Sequence, residues 1–574
     1  MLTPSPRPPA RYPIFAAYHI RDDMKIALAQ QNYHIGNFDY NVARMKEAID
    51  RARRHQVDLV VFSEQCICGY PAMDLLELDD FIDQCEAAIK ALSTCTEGIG
   101  VIVGAPTRNP APQGKRLFNS AYLLSDGQIQ DVVHKTLLPT YDVFDESRYF
   151  EPADSWHCVQ FRNKKIALTI CEDIWNVVEP RLYRLSPLDQ LIQEQPDCII
   201  NISASPFDYD HEQQRIEIIR ENVRQYHVPL IYCNTVGAQT ELVFDGASLV
   251  FNARAELVRH LPSFEEAFEI IELENLTHEP AITQQPPAST QTLRPTFQID
   301  RIHQALLMGI RDYFSKMGFE RCVIGSSGGI DSAVTTVLAC EALGADRVLS
   351  VLMPSDYSSS ESVDDAVALS QRLGNRYEII PIRDIYHSYL QTLKPVFQDR
   401  PFGLAEENIQ ARIRGNLLMA VANKFGYILL NTSNKSELAV GYGTLYGDMA
   451  GGLSVLGDVY KLQVYALAYH LNREQEIIPT SILHKAPSAE LRPGQRDTDS
   501  LPPYEQLDPI LYQYIEQHKT MREIIDMGFD PALVQQVVPM VNRNEYKRNQ
   551  FCPIIRVSSK AFGRGRRIPI VGKY

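Results

Sequence analysis

No run of apolar residues in this chain approaches the roughly 18 that a membrane-spanning helix needs, so a membrane span is not expected. Positive charge is also in short supply: 56 Lys and Arg face 71 Asp and Glu, a formal net charge of −15. A nucleic-acid backbone as main partner favours a basic surface, so that class of function is set aside, while a local basic pocket for a small anion stays open. The first 23 residues contain Pro and Arg but no clean apolar core ending in a small-residue cleavage site, which argues against a secretory signal. Cysteines lack regular spacing, and their number, 11, is odd. That usage fits a reducing compartment in which most are small core hydrophobes. Cys66 and Cys68 sit two apart with no His or second Cys pair nearby, so no metal site is expected there. The chain reads as cytoplasmic. Met24, followed by the strand-like Lys25–Gln30, reads as the true or ancestral start, with residues 1–23 a disordered extension.

What is present is the balance of an ordinary globular protein, with 45% hydrophobic and 22% charged residues. The 574 residues provide for three to four domains at roughly 150 residues each. Residues 274–299 carry Pro280, Pro286, Pro287 and Pro295 among Thr, Gln and Ser, and read as a linker between residues 24–273 and 300–574.

Before that seam, Val57–Phe62, Ile99–Ala105, Lys165–Ile170, Cys198–Ile202 and Leu230–Cys233 have the look of strands, and Asn41–Arg54 and His211–Tyr226 of helices. Ala247–Phe251 and Phe268–Leu273 are strands with no helix between them, which predicts a mixed sheet with helices outside. After the seam the alternation is cleaner: helix Ile302–Met317, strand Arg321–Ile324, a glycine loop, a helix from Ser332, strand Val348–Leu352, helix Ser362–Leu373 and strand Tyr377–Pro381. That order predicts a parallel α/β sheet with ligands beyond the carboxyl ends of its strands.

The loop Gly325-Ser326-Ser327-Gly328-Gly329-Ile330-Asp331-Ser332 follows a strand and opens a helix. Its glycines let backbone approach phosphate, and amides at the helix start point at the anion. Asp331 would repel that phosphate unless a cation lies between, so it implies Mg²⁺. The GK[ST] ending of a Walker A loop is missing.

The segment SGGIDS resembles the signature of ATP pyrophosphatases, which cleave ATP to AMP and pyrophosphate while adenylating a substrate. Further segments narrow the resemblance to the NAD synthetases: Asn408–Arg414 (NIQARIR), Asn431–Glu437 (NTSNKSE), Tyr442–Asp448 (YGTLYGD), Lys461, Pro487–Leu491 (PSAEL) and Glu545–Arg548 (EYKR). The resemblance covers essentially residues 300–570. It implies a doubly wound parallel sheet of the ATP pyrophosphatase type, with ATP and deamido-NAD as substrates. The 325–332 loop would hold ATP phosphates, Thr432 would contact the nucleotide, and Lys461 would balance triphosphate charge. Asp331 and Glu437 would bind Mg²⁺, and Asn408, Arg412, Glu437 and Lys547 would lie at deamido-NAD. Leu445 stands where the ammonia-only bacterial enzymes place a lysine, and resembles the fused, glutamine-using subgroup.

In the first half, Glu64, Lys135 and Cys171 each follow a strand, and three strand ends are expected to meet at one rim of a sheet. A thiol placed there gains a proton acceptor and a cation. Their contexts, Phe62–Leu75 (FSEQCICGYPAMDL), His134–Phe150 (HKTLLPTYDVFDESRYF) and Leu168–Trp175, resemble the nitrilase superfamily. The resemblance covers roughly residues 24–273 and implies an α-β-β-α sandwich with a Glu–Lys–Cys triad. By the same resemblance Glu146 supports Lys135, and Tyr141 and Ser205 hold glutamine. The related enzymes carry Lys or Arg six residues after that serine; here the position is His211, which predicts weaker or more pH-dependent glutamine binding unless Arg215 substitutes. GMP and asparagine synthetases use other glutaminase types and do not share the NIQARIR, YGD and PSAEL segments. The whole implies a ligase amidating deamido-NAD with ammonia released from glutamine, working as a homo-oligomer built on a dimer of synthetase domains.

Overall fold

A computed structural model describes residues 23–277 and 298–572. The expected extension, apart from its last residue, and most of the expected linker therefore lie outside the described residues.

Alternation along the first strand sets up the first half. In Lys25–Gln30, Ile26 and Leu28 face one way and Ala27 and Ala29 the other, and each pair enters a different core. Ala27 and Ala29 pack with Met45 and Ile49 of helix Phe38–Arg54 and Cys85 and Ile89 of helix Asp79–Ser93. Ile26 and Leu28 meet Leu168, Ile170, Ile200 and Ile202 of a second sheet. On that second sheet, Ala167, Ile199 and Tyr232 turn outward onto Ile216, Ile219 and Val223 of helix His211–Tyr226. Two six-stranded sheets thus stack face to face with helices outside, an α-β-β-α sandwich. Both are mixed: Lys25–Gln30, Leu59–Val61 and Gly100–Arg108 run parallel, while Ala267–Glu272 joins antiparallel at one edge. Leu273 and Leu276 enter the inter-sheet core, and the described first half ends at Thr277.

In the second half, five parallel strands form one sheet in the order Arg376–Ile379, Val348–Leu352, Cys322–Gly325, Ile428–Asn431, Leu453–Ser454. One face packs on helices Ile299–Met317, Ile330–Leu343 and Lys461–Leu471. The other packs on Leu404–Phe425, through Ile409, Ile413, Leu418 and Ala422. The direction of winding reverses between Cys322–Gly325 and Ile428–Asn431, which opens a crevice at their carboxyl ends. The helix after the glycine loop begins at Ile330 rather than Ser332, so Asp331 lies in its first turn.

The halves share a core. Phe207, Tyr209, Ala238 and Val243 of the first half pack with Ile302, Leu306 and Ile310 of helix Ile299–Met317. The hairpin Val236–Gln239/Leu242–Asp245 lies on this helix. Asp312 accepts from the Ala238 N–H (2.6 Å) and Asn32 Nδ2 (2.8 Å), and Lys316 Nζ donates to Asn32 Oδ1 (2.7 Å) and the Ala238 carbonyl (2.8 Å). Gly237 (φ +118°) is required here, because a Cβ would fall 2.1 Å from Asn32 Oδ1. Asp245, 1% exposed, takes a bidentate pair from Arg215 (2.7 and 3.1 Å) and a third contact from Arg301 of the same seam helix (3.0 Å). Asp245→Ala strands a fully buried guanidinium and is expected to cost about 3–5 kcal/mol. Calorimetry reads this as a lower unfolding temperature; an unchanged one contradicts it.

Candidate active sites

The three residues expected to form the triad follow strands, but not of one sheet. Glu64 follows Leu59–Val61 and Lys135 follows Gln128–His134, both of the first sheet, while Cys171 follows Lys164–Ile170 of the second. The site therefore lies between the stacked sheets rather than on the rim of one. Period-2 patterning marks which side chains are buried but not which of two sheets a strand joins.

Lys135 Nζ donates to Glu64 Oε1 and to Glu146 Oε1, each at 2.8 Å, and all three side chains are buried. Asn119 Nδ2 bridges the carboxylates at 2.7 Å to Glu64 and 3.3 Å to Glu146. The Ala204 N–H, at the end of a second-sheet strand, donates to Glu64 Oε2 (2.9 Å), and the Tyr70 hydroxyl donates to Glu146 (3.0 Å). Burial pulls the Lys135 ammonium down, but Glu146 and Glu64 outweigh it and hold its pKa well above the ordinary lysine value. Burial pushes Glu146 up to about 7, with Lys135 opposing. The Cys171 thiol is pushed well up, first by burial and then by Glu64. Cys171 accordingly rests as a thiol, and a nucleophilic role for it requires a base to take its proton.

Cys171 has φ +43°, in the left-handed region, at a sharp strand-to-turn junction. Asp173 fixes that junction. Its Oδ2 accepts from the Ile170 N–H (3.0 Å), and its Oδ1 from Thr136 and Leu137 (3.0 and 2.8 Å), directly after Lys135. One buried carboxylate thus ties the Cys171 junction to the residues that follow Lys135. Next to it, Glu172 accepts from the hydroxyls of Tyr141 (3.0 Å) and Tyr183 (3.1 Å).

Ser205 Oγ and His211 Nε2 are 2.9 Å apart, and the His211 ring stacks on Trp175 at 4.9 Å. Burial, then Arg215 and Arg556, press the His211 pKa down to about 3. His211 is therefore a neutral ring near pH 7 and does not supply the cation of a lysine or arginine. The Arg215 guanidinium is paired through both terminal nitrogens with Asp245, an arrangement that speaks against its substituting for that cation.

In the second half, a cavity of about 290 Å³ opens at the switch point. It is lined by residues 325–332, Thr432, Glu437 and Lys461, as expected, and also by Arg414, Lys485 and Glu490. Gly328 (φ +76°) admits no side chain, because a Cβ would lie 2.1 Å from the Ser362 carbonyl oxygen. Lys461 Nζ contacts Asp331 Oδ2 (2.5 Å) and Glu437 Oε1 (3.4 Å). Burial, then Asp331, raises Glu437 to about 8, with Lys461 opposing. Two carboxylates converging on one ammonium form an environment that a divalent cation with phosphate oxygens suits, since Mg²⁺ is usually held by one or two carboxylates. Among the described residues no cluster of three or more metal-binding side chains is found. Asn408, Arg412 and Lys547 do not line this cavity. They hold the YGTLYGD segment instead: Asn408 accepts from Thr444 Oγ1 (2.9 Å), Arg412 donates to the Leu445 carbonyl (3.2 Å), and Lys547 donates to those of Gly441 and Gly443 (both 2.8 Å).

Fold and sites define a fusion of a cysteine amidase with a phosphate-binding α/β enzyme. Residues 25–277 match the carbon–nitrogen hydrolase family and residues 302–551 the NAD synthase family. The glutamine-dependent NAD(+) synthetase of Synechocystis is 46% identical over 552 residues, covering 95% of this chain and 98% of the relative. That of Thermotoga maritima is 42% identical, covering 96% and 99%. The solved structure of the Acinetobacter baumannii glutamine-dependent NAD+ synthetase, a complex with adenosine diphosphate, superposes with TM-score 0.75 at 39% identity, covering 96% and 98%. The chain belongs to the glutamine-dependent NAD(+) synthetases.

With His211 neutral at every pH above about 4, the KM for glutamine is expected to stay flat between about pH 6 and 8. A KM that rises with pH across that range would show a protonated His211 holding the substrate carboxylate.

Proposed function

We propose that this chain makes NAD by amidating deamido-NAD with ammonia drawn from glutamine, with residues 24–273 acting as the amidase and 300–574 as the synthetase. The observation that carries the reading is the buried Glu64–Lys135–Glu146 cage beside Cys171, in one chain and one shared core with the glycine-loop cavity.

Glutamine enters with Tyr141, Ser205 and His211 around it. Cys171 Sγ attacks the side-chain amide carbon while Glu64 takes the thiol proton. The oxyanion that forms meets Lys135 and the Glu172 N–H. Glu64 passes the thiol proton to the leaving nitrogen, and ammonia departs; Glu64 then deprotonates a water that attacks the γ-glutamyl thioester and returns the proton to the Cys171 sulfur, releasing glutamate and free thiol. Glu146 and Asn119 keep Lys135 and Glu64 in place throughout.

In the synthetase half, residues 325–332 present amides to the ATP phosphates, with Thr432 near the nucleotide and Lys461 facing the phosphate charge. The nicotinate carboxylate of deamido-NAD attacks the α-phosphate, giving an acyl-adenylate and pyrophosphate. Ammonia then displaces AMP to give NAD. Asp331 and Glu437 would hold Mg²⁺, which supplies charge neutralisation for the departing pyrophosphate. Asn408, Arg412 and Lys547 shape the loop against which deamido-NAD would lie. The Acinetobacter baumannii relative was solved in complex with adenosine diphosphate, which supports an adenine nucleotide as a ligand.

Exposed Phe402, Leu404, Met419 and Phe425 on and beside helix Leu404–Phe425 support a homodimer through the synthetase half. All 11 cysteines are free, in keeping with a cytoplasmic setting, and no described helix is long and apolar enough to cross a membrane.

Cys171→Ala is the direct test, with NAD formation from deamido-NAD, ATP and Mg²⁺ as readout. Glutamine-driven synthesis is expected to fall by at least about 10³-fold, with ammonium-driven synthesis retained. Wild-type protein that makes no NAD from either donor refutes the assignment.

A further inference from the structure

Of the cations that line the glycine-loop cavity, Arg414, Lys461 and Lys485, two are already matched. Lys461 stands between Asp331 and Glu437, and Lys485 meets Glu490 Oε1 (3.2 Å) and Ser359 Oγ (3.1 Å). No carboxylate pairs with Arg414. It sits half-buried in helix Leu404–Phe425, and its Nε donates to the Met353 carbonyl (3.0 Å). Among the described residues that is its one hydrogen bond, so both terminal nitrogens of the guanidinium are left without a protein partner. Burial presses its pKa down to about 10, while Glu490 and then Asp448 oppose from beyond ion-pair reach. A guanidinium that gives up water and gains no carboxylate is costly to keep. Its fixed fork with free N–H groups matches the oxygens of a phosphate.

The walls around Arg414 say which phosphate. Met353 directly follows strand Val348–Leu352, and the Ser326 N–H, early in the glycine loop, donates to the Val351 carbonyl of that strand (3.0 Å). Leu418 and Met353 close over Gly325, with side-chain atoms 3.0 and 3.6 Å from where its Cβ would stand. Both belong to an apolar cluster that also holds Leu429 and reaches the cavity wall. A nucleoside packs on such a lining. Past the other end of the loop, Asp331 lies in the first turn of helix Ile330–Leu343, in contact with Lys461, which also meets Glu437. The loop thus has an apolar end beside Arg414 and a charged end beside Lys461. A triphosphate laid along it with its nucleoside on the apolar end brings the α-phosphate to Arg414 and the outer phosphates to the loop amides and Lys461.

We propose that Arg414 is a further catalytic residue of the synthetase half, gripping the α-phosphate of ATP through its two unpartnered guanidinium nitrogens while the adenylate forms. This rests on the function proposed above. As the nicotinate carboxylate oxygen bonds to the α-phosphorus, the bridging oxygen departs with its electron pair as pyrophosphate, and negative charge lies on the outer oxygens of the α-phosphate. Lys461 is compensated by two carboxylates and brings little net charge to that group. Arg414 brings an uncompensated one, held in place before the reaction begins by the Nε contact to Met353. Arg412, two residues earlier and so on another face of the helix, is spent on the Leu445 carbonyl. The two arginines of one segment therefore divide the work, one shaping the Tyr442–Asp448 loop and one meeting the nucleotide.

The test follows ammonium-driven NAD synthesis by full-length Arg414→Met and Arg414→Lys, with ATP and deamido-NAD varied in turn and with AMP and pyrophosphate as separate inhibitors. AMP carries the α-phosphate and pyrophosphate does not. Arg414→Met is expected to lower kcat/KM for ATP by about 10²-fold or more, with Arg414→Lys between it and wild type. In Arg414→Met the inhibition constant of AMP rises at least about tenfold, and that of pyrophosphate stays within about twofold. Should Arg414→Met fail to fold, as thermal unfolding would show, the same two inhibition constants in Arg414→Lys decide. Wild-type kinetics in Arg414→Met overturn the proposal, as does a wild type that AMP does not inhibit. Equal weakening of AMP and pyrophosphate also overturns it, because Arg414 would then only shape the cavity. A loss confined to kcat/KM for deamido-NAD gives the guanidinium to the dinucleotide and overturns the assignment to ATP. Failure of wild type to make NAD at all is a separate result, and it strikes the proposed function instead.

Discussion

Ammonia attacks a carbonyl only while its lone pair is free, and water near pH 7 turns most of it into ammonium. That constraint gives the seam between the halves its importance. Helix Ile299–Met317 is packed on the hairpin Val236–Gln239/Leu242–Asp245, and the residues that bury it come from both halves. Gly237, Asn32, Asp312 and Lys316 fix its position with paired hydrogen bonds. Two chemistries that must exchange an unprotonated molecule are thereby built into one packed body.

The two sites follow one electrostatic logic with different components. In the amidase, a buried ammonium is held between two carboxylates, Glu64 and Glu146, and their mutual attraction opposes the desolvation that burial imposes on all three. In the synthetase, Lys461 stands between Asp331 and Glu437, which keeps the repulsion of two converging carboxylates in check. A third such arrangement, Lys435 between Asp458 and Glu516, lies between them at the seam. Each is costly to bury and holds its geometry only because every partner is present.

Much of this was legible in the chain itself. Helix His211–Tyr226 and strand Val348–Leu352 have the bounds that periodicity predicts, because each carries an uninterrupted pattern of its own. The glycine loop declared itself through paired glycines and an acid at a strand-to-helix junction. Other features depend on distance in space rather than along the chain. The assignment of Cys171 to a different sheet from Glu64 and Lys135 follows from strand pairing, which residue patterns do not encode. Asn119 and Asp173 act at positions 27 and 37 residues away from their partners Glu146 and Thr136. Their only local signal is a polar side chain inside an otherwise apolar stretch. Arg215 was open to a substrate role in sequence because its partner, Asp245, is 30 residues distant. The placement of Asn408, Arg412 and Lys547 around the Tyr442–Asp448 loop, rather than on the cavity wall, likewise needed the tertiary contacts.

With both sites in one packed body, nitrogen is expected to pass from the Cys171 site to the nucleotide cavity without mixing with solvent. That expectation is tested most directly by supplying glutamine labelled with ¹⁵N at the side-chain amide together with an excess of unlabelled ammonium, and reading the isotope in the carboxamide of the NAD formed. Retention of ¹⁵N despite the excess is the result predicted for halves held in fixed register. NAD whose amide takes the isotopic composition of the bulk ammonium would contradict it.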